Sequence, residues 1–397
     1  MQTIEEKDLD RIIEEKSKKR KNKKPKKKLW KKVVITIVIL AVIGGSSLAI
    51  LLYGPYSGFR DWLITSSMTT MTHHWIAEMF YSDEVIADVM SKNRVDEIKE
   101  DTDTNSIDTN EIEVEEVVEY ENEYEKQILA KDLDKKEYDI YADEESYRII
   151  NITGKGYSGY LAVVYDASKI QTLVTSKLGT CGEYLTTMAK NKDAVLAING
   201  GRFSDPAYSS NGGNPRGVTY SNGKCMTSHK YKSTGGIIGF NEDDILVLSS
   251  KCTKAEAERL NIRDCVTCGP FLIVNGKASS VLGNGGWGTA PRTAIGQRKD
   301  GIVLMLVLDG RTLSRPGADM DDLIEIMQNY GAYNAANLDG GTSSVMAVDG
   351  ELINDPIDST GAHKTRYIAT GFGVIEWNLG TFLKSQNDFR GQSSFLY

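Results

Sequence analysis

The chain has 397 residues and a formal net charge of −8, with 55 acidic and 47 basic side chains. That length is enough for one large domain or two ordinary ones. The charge is distributed unevenly, so the chain consists of segments of different composition. Residues 1–32 carry a net charge of +8, residues 96–145 a net −16 and residues 146–397 a net +2. The acidity therefore belongs to a middle segment, and the slightly basic C-terminal region permits an anionic substrate.

Residues 33–53, VVITIVILAVIGGSSLAILLY, contain no charged side chain. A helix of that length, rising about 1.5 Å per residue, spans a hydrocarbon core of about 30 Å. A cleaved signal peptide normally has a shorter apolar stretch and a shorter basic leader, so we predict an uncleaved signal anchor in the cell membrane. The basic residues 1–32 are then cytoplasmic, and everything after residue 53 is extracellular.

A basic leader is also typical of nucleic-acid binding. Its position beside an apolar span favours lipid headgroups instead, so the bilayer is the expected partner and no nucleic acid is expected. We interpret residues 54–95 as a helical stalk, because Met68, Met71, Trp75 and Met79 recur at helical spacing. Such a face is typical of packing and offers a surface for a homo-oligomer.

Glu and Asp dominate residues 96–145, and their mutual repulsion favours an extended acidic linker. From about residue 146 the sequence pattern becomes typical of short strands and turns. This predicts a folded domain over residues 146–378 and a tail over 379–397. Strands are expected at 159–166, 194–200 and 301–310, with helices at 180–193 and 318–331.

Three pairs, Asn222-Gly223, Asn275-Gly276 and Asp349-Gly350, lie between apolar residues. Each predicts a β-hairpin, because type I′ turns need positive φ at both central residues. The predicted class is α+β (mixed α/β), a single catalytic domain with a mixed β-sheet. A transmembrane helix and a helical and acidic stalk precede it.

Two Asp-Gly pairs follow predicted strands in residues 301–344, at Asp309-Gly310 and Asp339-Gly340, with a predicted helix between them. A strand–helix–strand crossover normally places its two strands parallel. Both aspartates then emerge at one edge of the sheet, where open sheets bind ligands. Either pair alone is equally typical of a tight turn without function. Two pairs at one edge favour a ligand-binding site.

Two further polar clusters adjoin strands. In AINGGRFSDP, Asn199 is suited to orienting a substrate hydroxyl, and Gly200 and Gly201 let the backbone come close to a ligand; a glycine-rich turn is the alternative. In APRTAIGQ, Arg292 has the planar fork that binds phosphate through two parallel hydrogen bonds; a surface salt bridge is the alternative. Arg216 and Arg366 are additional polar candidates.

Other catalytic signatures are missing from the sequence, which has no GxSxG elbow, no Walker A motif and no HExxH. Nothing around the four histidines indicates a Ser-His-Asp triad. Cys265 and Cys268 have the spacing of half a zinc site, but no second half follows. The five cysteines are an odd number, so at least one thiol stays free or pairs between chains, and a bridge from Cys252 to either of these two stays open.

In this order, the clusters resemble those of the phosphodiester glycosidase domain family. The matching segments cover roughly residues 146–378 and are AINGGRFSDP, NPRGVTYSNGK, CGPFLIVNGK, APRTAIGQ, LVLDGR, GADMDDLIEIMQNYGAYNAANLDGGTSS and the stretch around Arg366. The basic leader, apolar span and aromatic stalk resemble membrane-anchored, exopolysaccharide-related forms of Gram-positive bacteria. Arg202 is a departure, because relatives often have a small or aromatic residue there.

The resemblance implies hydrolysis of a sugar-1-phosphodiester at the anomeric bond, with an N-acetylglucosamine-like sugar, in cell-wall, capsule or exopolysaccharide glycans. Asp339 would activate water or stabilise an oxocarbenium-like state, with Asp309 as its partner. Arg292 and Asn199 complete the catalytic set, Arg292 binding phosphate. The substrate-binding set is Gly200, Gly201, Arg202, Arg216, Thr293, Arg311, Gly340, Gly341, Thr342, Ser343, Ser344 and Arg366. The N–H groups of residues 340–343 would form an anion nest.

No cofactor is expected. The acidic groups could hold a structural calcium ion, although no spaced ligand loop is visible. The expected partner is a glycan or sugar-phosphate substrate. The alternative function, from a different class, is a non-catalytic glycan-binding or exopolysaccharide assembly protein that keeps the fold.

Overall fold

The computed structural model describes residues 4–21, 26–69, 73–109, 119–131, 133–204, 211–358 and 360–376. The chain divides into two compact units, residues 1–61 and residues 62–397. The predicted tail at 379–397 lies outside the described residues, as do parts of the basic leader. The helices are α1 (Ile4–Lys21), α2 (Lys26–Tyr53), α3 (Ser57–Met68), α4 (His74–Phe80), α5 (Asp83–Lys92), α6 (Glu123–Leu129), α7 (Leu185–Asn191), α8 (Lys254–Arg259) and α9 (Met320–Asn329).

The first unit contains the apolar helix that the sequence predicts. Within α2, the apolar stretch Trp30–Tyr53 contains an 18-residue window with a mean hydropathy of 2.6, and none of that window is buried. By length and composition this is the one helix in the described part of the chain that could cross a membrane. It lies near the N-terminus, where a signal sequence passes the same test.

The strands belong to the second unit. They are β1 (Arg94–Asp96), β2 (Ile140–Asp143), β3 (Tyr147–Gly154), β4 (Tyr157–Val164), β5 (Ile170–Val174), β6 (Ala194–Asn199), β7 (Phe203–Ser204), β8 (Asn214–Pro215), β9 (Val218–Ser221), β10 (Lys224–Ser228), β11 (Gly236–Asn241), β12 (Leu246–Ser249), β13 (Ile262–Cys268), β14 (Phe271–Val274), β15 (Lys277–Ala278), β16 (Ser280–Leu282), β17 (Arg292–Arg298), β18 (Val303–Asp309), β19 (Ala332–Asn337), β20 (Met346–Val348), β21 (Glu351–Leu352) and β22 (Thr370–Ile375). Short 3₁₀ turns lie at Thr104–Ser106, Ala167–Lys169 and Gly341–Ser343.

Three sheets dominate the described part of this unit. One has eight strands in the order β15-β14-β19-β17-β18-β4-β3-β2, and two have five, β21-β20-β6-β22-β5 and β10-β9-β13-β11-β12. Strands β1 and β16 form a separate pair, as do β7 and β8. The α+β class is confirmed. The described strand pairings are antiparallel rather than mixed in direction.

The eight-stranded sheet is covered on both faces. Helix α9 packs on one face through Leu323, Ile326 and Met327. The other face packs against both five-stranded sheets, with Met305 of β18 in the same cluster as Phe240 and Phe372. Strand β18 is therefore a continuous apolar run, as expected of a strand buried on two sides. Helix α7 covers the outer face of the sheet that contains β6 and β22.

Local sequence signals are borne out where turn and cap chemistry decides the structure. The three predicted hairpins form, with positive φ at Asn222, Asn275 and Asp349. Helix α9 starts at a capping box, in which Asp319 and Asp322 each accept a hydrogen bond from the other's backbone. Helix α7 is shorter than predicted, because the backbone at Gly182 and Glu183 is bonded to neighbouring loops instead.

The expected extended linker at 96–145 is not what the structure has in the described part of that segment. Strand β1 pairs with β16 and β2 pairs with β3, while Ile107, Ile128 and Ile140 are buried. Acidic side chains meet basic partners, as in the Glu100–Lys277 pair. Spaced isoleucines and opposite charges thus outweigh the self-repulsion that the composition suggests. Residues 110–118, within the glutamate-rich run, lie outside the described residues.

A fragment that begins at residue 146 should therefore be much less stable than one that begins at residue 62. Losing three buried isoleucines removes roughly 1.5–3 kcal/mol each, which lowers the melting temperature of a domain this size by roughly 10 °C or more. Thermal unfolding followed by circular dichroism measures the difference. Equal melting temperatures would mean that residues 62–145 contribute nothing to the stability of the domain.

Candidate active site

One edge of the eight-stranded sheet brings the predicted residues together. Strand β17 lies between β18 and β19 and is antiparallel to both, with Arg292 opposite Leu308 and Ala294 opposite Asn337. Strands β18 and β19 therefore run parallel. Asp309 ends β18 and Asp339 follows the end of β19, both at the edge where β17 begins. The predicted common edge is confirmed. The intervening strand separates the two aspartate backbones by roughly 10 Å, two strand spacings.

Asn199, at the end of β6, joins a five-stranded sheet to this edge. The side chain is 1% exposed. Its Oδ1 accepts from Thr293 Oγ1 at 2.6 Å and from Val345 N at 3.1 Å, and its Nδ2 donates to the Asp339 carbonyl at 2.6 Å. Both oxygen lone pairs are thus occupied inside the protein. Asn199 fixes the Asp339 loop, whereas the sequence suggested contact with a substrate hydroxyl.

Gly200 and Gly201 bring the backbone close to its neighbours, as predicted, but those neighbours are protein. The Gly200 carbonyl accepts from the Asp339 amide at 3.0 Å, and its own amide donates to the Thr370 carbonyl at 2.9 Å. A Cβ on Gly201 would lie 2.7 Å from the Thr267 carbonyl oxygen. Two sheets therefore meet here at a distance that leaves no room for a side chain.

Asp339 is partly buried, and its charge is only partly compensated. Burial raises the pKa of its carboxyl, while the Ser343 hydroxyl, the guanidinium groups of Arg366 and Arg202 and the Gly340 amide lower it. The net result is a raised pKa. A carboxyl in this state holds its proton more readily than an exposed aspartate, and it loses that proton beside two positive charges.

The loop after Asp339 uses most of its amides internally. Gly341 donates to the Pro291 carbonyl at 2.8 Å, Ser343 to Gly340 at 3.3 Å and Ser344 to Gly341 at 3.1 Å. The predicted anion nest over residues 340–343 is therefore incomplete, because the Pro291 carbonyl takes the Gly341 amide and the 3₁₀ turn takes the Ser343 amide, which are two of its four donors. The loop is a rigid support for the carboxylate more than a cradle for an anion.

Arg292 differs most from its predicted role. Its side chain is 4% exposed, and Nε donates to the Ala318 carbonyl at 3.1 Å while Nη2 donates to Trp287 at 2.9 Å and Gly288 at 2.5 Å. Burial lowers the pKa of this guanidinium to about 10. The Nε and Nη2 donors that would bind phosphate thus donate to backbone carbonyls instead. Its Nη1 lies 3.7 Å from where a Cβ on Gly340 would sit.

Arg202 is half-buried and held on several sides. Its Cζ lies 4.4 Å from the centroid of the Trp287 ring. Nη1 donates to Ser233 Oγ at 3.2 Å, and Nη2 donates to the Gly269 carbonyl at 3.3 Å. Coulombic attraction to Asp339 is among the influences that raise its pKa, against the opposing effect of burial. Arg202 is thus a cation that is oriented by neutral groups.

Arg311 and Arg366 flank the same loop. Arg311 Nη1 donates to Thr342 Oγ1 at 2.6 Å and to the Ile357 carbonyl at 2.8 Å. Burial lowers the pKa of Arg311, and the nearby positive charge of Arg366 lowers it further. Arg366 has its Cζ 4.7 Å from the Phe203 ring centroid. Arg216 is exposed, and its amide donates to the Arg202 carbonyl at 2.8 Å.

Asp309 connects to the Asp339 loop through Asn354, a residue that the sequence analysis missed. Asn354 Nδ2 donates to Asp309 Oδ1 at 2.8 Å and to the Ser344 carbonyl at 3.1 Å, while its Oδ1 accepts from Met346 N at 2.8 Å. Burial raises the pKa of Asp309, and the hydrogen bonds that it accepts from Asn354 and from the Asp355 amide oppose that rise. Asn354 follows the β20–β21 hairpin, a position that no local motif marks as functional.

No group of three or more His, Cys, Asp or Glu side chains is placed to hold a metal ion within the part of the chain that the structure describes. All five cysteines are free thiols. Cys252 Sγ lies 3.1 Å from Thr267 Oγ1, and no bridge joins it to Cys265 or Cys268. Burial raises the pKa of Cys268 to about 11.

Comparison with known proteins identifies a domain within the chain. Residues 192–375 match the family model of the phosphodiester glycosidase domain. This part of the chain belongs to that family. The phosphodiester glycosidase domain therefore includes Asn199, Arg292, Asp309, Asp339 and Arg366, and the expected resemblance is confirmed.

Curated relatives and a solved structure resemble the chain over different lengths. It is 30% identical over 202 residues to the SPbeta prophage-derived uncharacterized protein YomE of Bacillus subtilis (strain 168), covering 49% of this chain and 30% of that protein. It is 34% identical over 67 residues to N-acetylglucosamine-1-phosphodiester alpha-N-acetylglucosaminidase of Mus musculus, covering 17% and 13%. The chain thus spans less than a third of either relative. The auto-inhibited catalytic domain of the zebrafish enzyme of that name aligns with a TM-score of 0.49 and 22% identity, over 60% of this chain and 86% of that one.

Replacing Asn199 with alanine should lower the free energy of unfolding by about 3 kcal/mol. The change leaves the Thr293 hydroxyl, the Val345 amide and the Asp339 carbonyl without this partner, at about 1 kcal/mol or more each. Urea unfolding measures the loss. The matched control is Asn191→Ala at the exposed end of α7, which should change little. A loss no larger than the control's would contradict the bridging role.

Asp339→Asn should make the protein more stable at neutral pH. Because the folded pKa of this carboxyl is raised, ionising it destabilises the fold, and that penalty is absent at low pH and grows as pH rises through the folded pKa. The advantage of the variant should therefore widen between about pH 4 and pH 7. Urea titrations at several pH values measure it.

Asp358→Asn is the control of opposite sign. Hydrogen bonds from Thr360 and Lys364 hold the pKa of Asp358 well below its usual range, so its ionised form stabilises the fold and the variant should lose stability at pH 7. Parallel behaviour of the two variants would show that burial of Asp339 does not govern its ionisation.

Proposed function

We propose that the chain is a membrane-anchored, extracellular glycoside hydrolase. Its substrate is a sugar-1-phosphodiester with an N-acetylglucosamine-like sugar, carried on a cell-wall, capsule or exopolysaccharide glycan. The observation that carries the proposal is Asp339, a partly buried carboxyl with a raised pKa beside the positive charges of Arg366 and Arg202. Family membership supports the reaction class, and the mouse relative's name supports the sugar.

The reaction needs one carboxylate near the anomeric carbon and positive charge near the phosphate. Water attacks the anomeric carbon, and Asp339 accepts its proton or stabilises the oxocarbenium-like state. The bond from the anomeric carbon to the phosphate oxygen breaks, and its electron pair leaves with the phosphomonoester. A phosphomonoester leaves readily, so this site depends on anion stabilisation more than on a strong general acid.

The contacts divide the arginines into two groups. Arg202 and Arg366 are the phosphate-binding pair in this proposal, since both act electrostatically on Asp339. Arg292 and Arg311 are positioning residues, because they donate mainly to carbonyls and to Thr342. Asn199, Thr293 and Asp309 likewise act through the loop that carries Asp339.

The apolar span supports anchoring. Residues Trp30–Tyr53 form one helix of sufficient length, and the basic leader precedes it, which by the positive-inside rule leaves the glycosidase domain outside the cell. On α4, Trp75 and Met79 are 54% and 62% exposed. This apolar face is the proposed surface for a second copy of the chain.

Wild-type full-length chain in detergent should release free sugar from UDP-N-acetylglucosamine or another member of a panel of sugar-1-phosphodiesters. Asp339→Asn should lower kcat by at least about a hundredfold, because its amide cannot accept the proton. Substrate binding should largely persist. Reducing-sugar release measures turnover, and calorimetric titration measures binding. The full chain is required because a start at residue 146 removes β2.

The matched control is Asp355→Asn, an exposed carboxylate whose side chain pairs with His363. It should keep wild-type turnover. If the folded wild type binds members of the panel and cleaves none, the glycosidase proposal fails and a glycan-binding or assembly role takes its place. If Asp339→Asn turns over at the wild-type rate, the carboxylate is misplaced.

A further inference from the structure

Residues 93–97, here called the connecting segment, pack against a loop that contacts two arginines of the site. That loop, GNGGWG at residues 283–288, is here called the glycine loop. Strand β1 within the connecting segment pairs with β16, which leads directly into the glycine loop. The family match begins only at residue 192, so the connecting segment lies outside it.

Asn93 shapes the glycine loop. Its side chain is 4% exposed, and its Oδ1 accepts from the Asn284 amide at 2.9 Å. A Cβ on Gly283 would overlap this Oδ1, and a Cβ on Gly286 would overlap the Asn93 carbonyl. Both glycines also have positive φ. The close contact of the loop with Asn93 therefore requires glycine at both positions. A second tether joins Asn284 Nδ2 to Thr65 Oγ1 of α3 at 2.8 Å.

The glycine loop in turn holds the arginines. The Trp287 ring lies 4.4 Å from Arg202 Cζ, and the carbonyls of Trp287 and Gly288 accept from Arg292 Nη2. A displacement of this loop therefore moves one wall of Arg202 and two acceptors of Arg292 together.

Glu97 supports the segments that carry the hydrogen-bond acceptors of Arg202. Its carboxylate accepts from the Phe271 amide at 2.7 Å and from the Gly235 amide at 3.1 Å. These amides are each two residues from an acceptor of Arg202, the Gly269 carbonyl and the Ser233 hydroxyl. The same short segment thus supports both the ring and the hydrogen-bond acceptors that contact one guanidinium.

We propose that the connecting segment positions Arg202, with Asn93 and Glu97 as positioning residues for the anion site. This inference rests on the proposed function for the role of Arg202, and it extends the functional unit of the glycosidase beyond the segment that matches the family. The ligand it serves is the phosphate of a phosphodiester.

The first test measures Arg202 without requiring turnover. Full-length chain is treated with phenylglyoxal, an arginine reagent, and the modification rate of each arginine is followed by peptide mass spectrometry. Asn93→Ala should raise the rate at Arg202 by roughly threefold or more, because loss of the Asn284 contact opens the Trp287 wall locally. The rate at the exposed Arg216 should not change.

The matched control is Lys92→Ala, at the adjacent position, where an ion pair with Asp88 faces solvent. It should leave Arg202 as protected as in the wild type. Glu97→Gln, which keeps one acceptor oxygen, should have an intermediate effect. An unchanged Arg202 rate in folded Asn93→Ala overturns the inference, whether or not the wild type cleaves any phosphodiester.

The second test uses kinetics and separates positioning from general damage. Asn93→Ala should raise KM for the cleaved phosphodiester by about tenfold, the effect of losing one hydrogen-bond-sized interaction, with kcat changed far less. Trp287→Leu should also raise KM, and the double variant should be no worse than the poorer single one, because both act through one wall. Additive increases in KM would contradict the proposal that Asn93 acts on Arg202 through Trp287. Absence of turnover in the wild type counts against the proposed function, while the labelling rates still decide the positioning role.

Discussion

The carboxyl of Asp339 has to be taken partly out of water, and the surrounding structure is organised around the cost of doing so. Burial disfavours its ionised form. The compensation comes from Arg366 and Arg202, which are themselves half-buried and need support. Arg202 rests on the Trp287 ring and on the Gly269 carbonyl. The contacts of Arg202 are thus with neutral groups that fix its position without cancelling its charge.

This arrangement keeps a positive field beside a carboxyl that can still hold a proton. Direct ion pairs between arginine and Asp339 would lower its pKa further and occupy the cation that an anionic ligand needs. Carbonyl acceptors orient the guanidinium of Arg292 while leaving its net charge intact. The stability lost by burying Asp339 is a common feature of residues placed for chemistry rather than for folding.

Sequence analysis predicts the parts of this structure that depend on neighbours in the chain. The Asn-Gly and Asp-Gly turns, helix α9 and the shared edge for Asp309 and Asp339 follow from local rules about φ, helical periodicity and crossover direction. Contacts between distant loops were not predictable. Asn93 and Asn284 are 191 positions apart, and neither carries a motif. The prediction of an extended linker at 96–145 was wrong, because it considered the repulsion between acidic side chains and not the burial of the isoleucines.

The bridge at Asn199 also constrains how such a domain can diverge. Its oxygen accepts two hydrogen bonds and its nitrogen donates one, to partners 94 to 146 positions away. A relative that replaces this amide with an apolar side chain leaves a buried hydroxyl at the position of Thr293. The two positions should therefore vary together, an amide with a hydroxyl or an apolar residue with an apolar residue, whatever sugar the site accepts. A substitution at only one of the two positions is expected only in chains where other contacts hold the Asp339 loop.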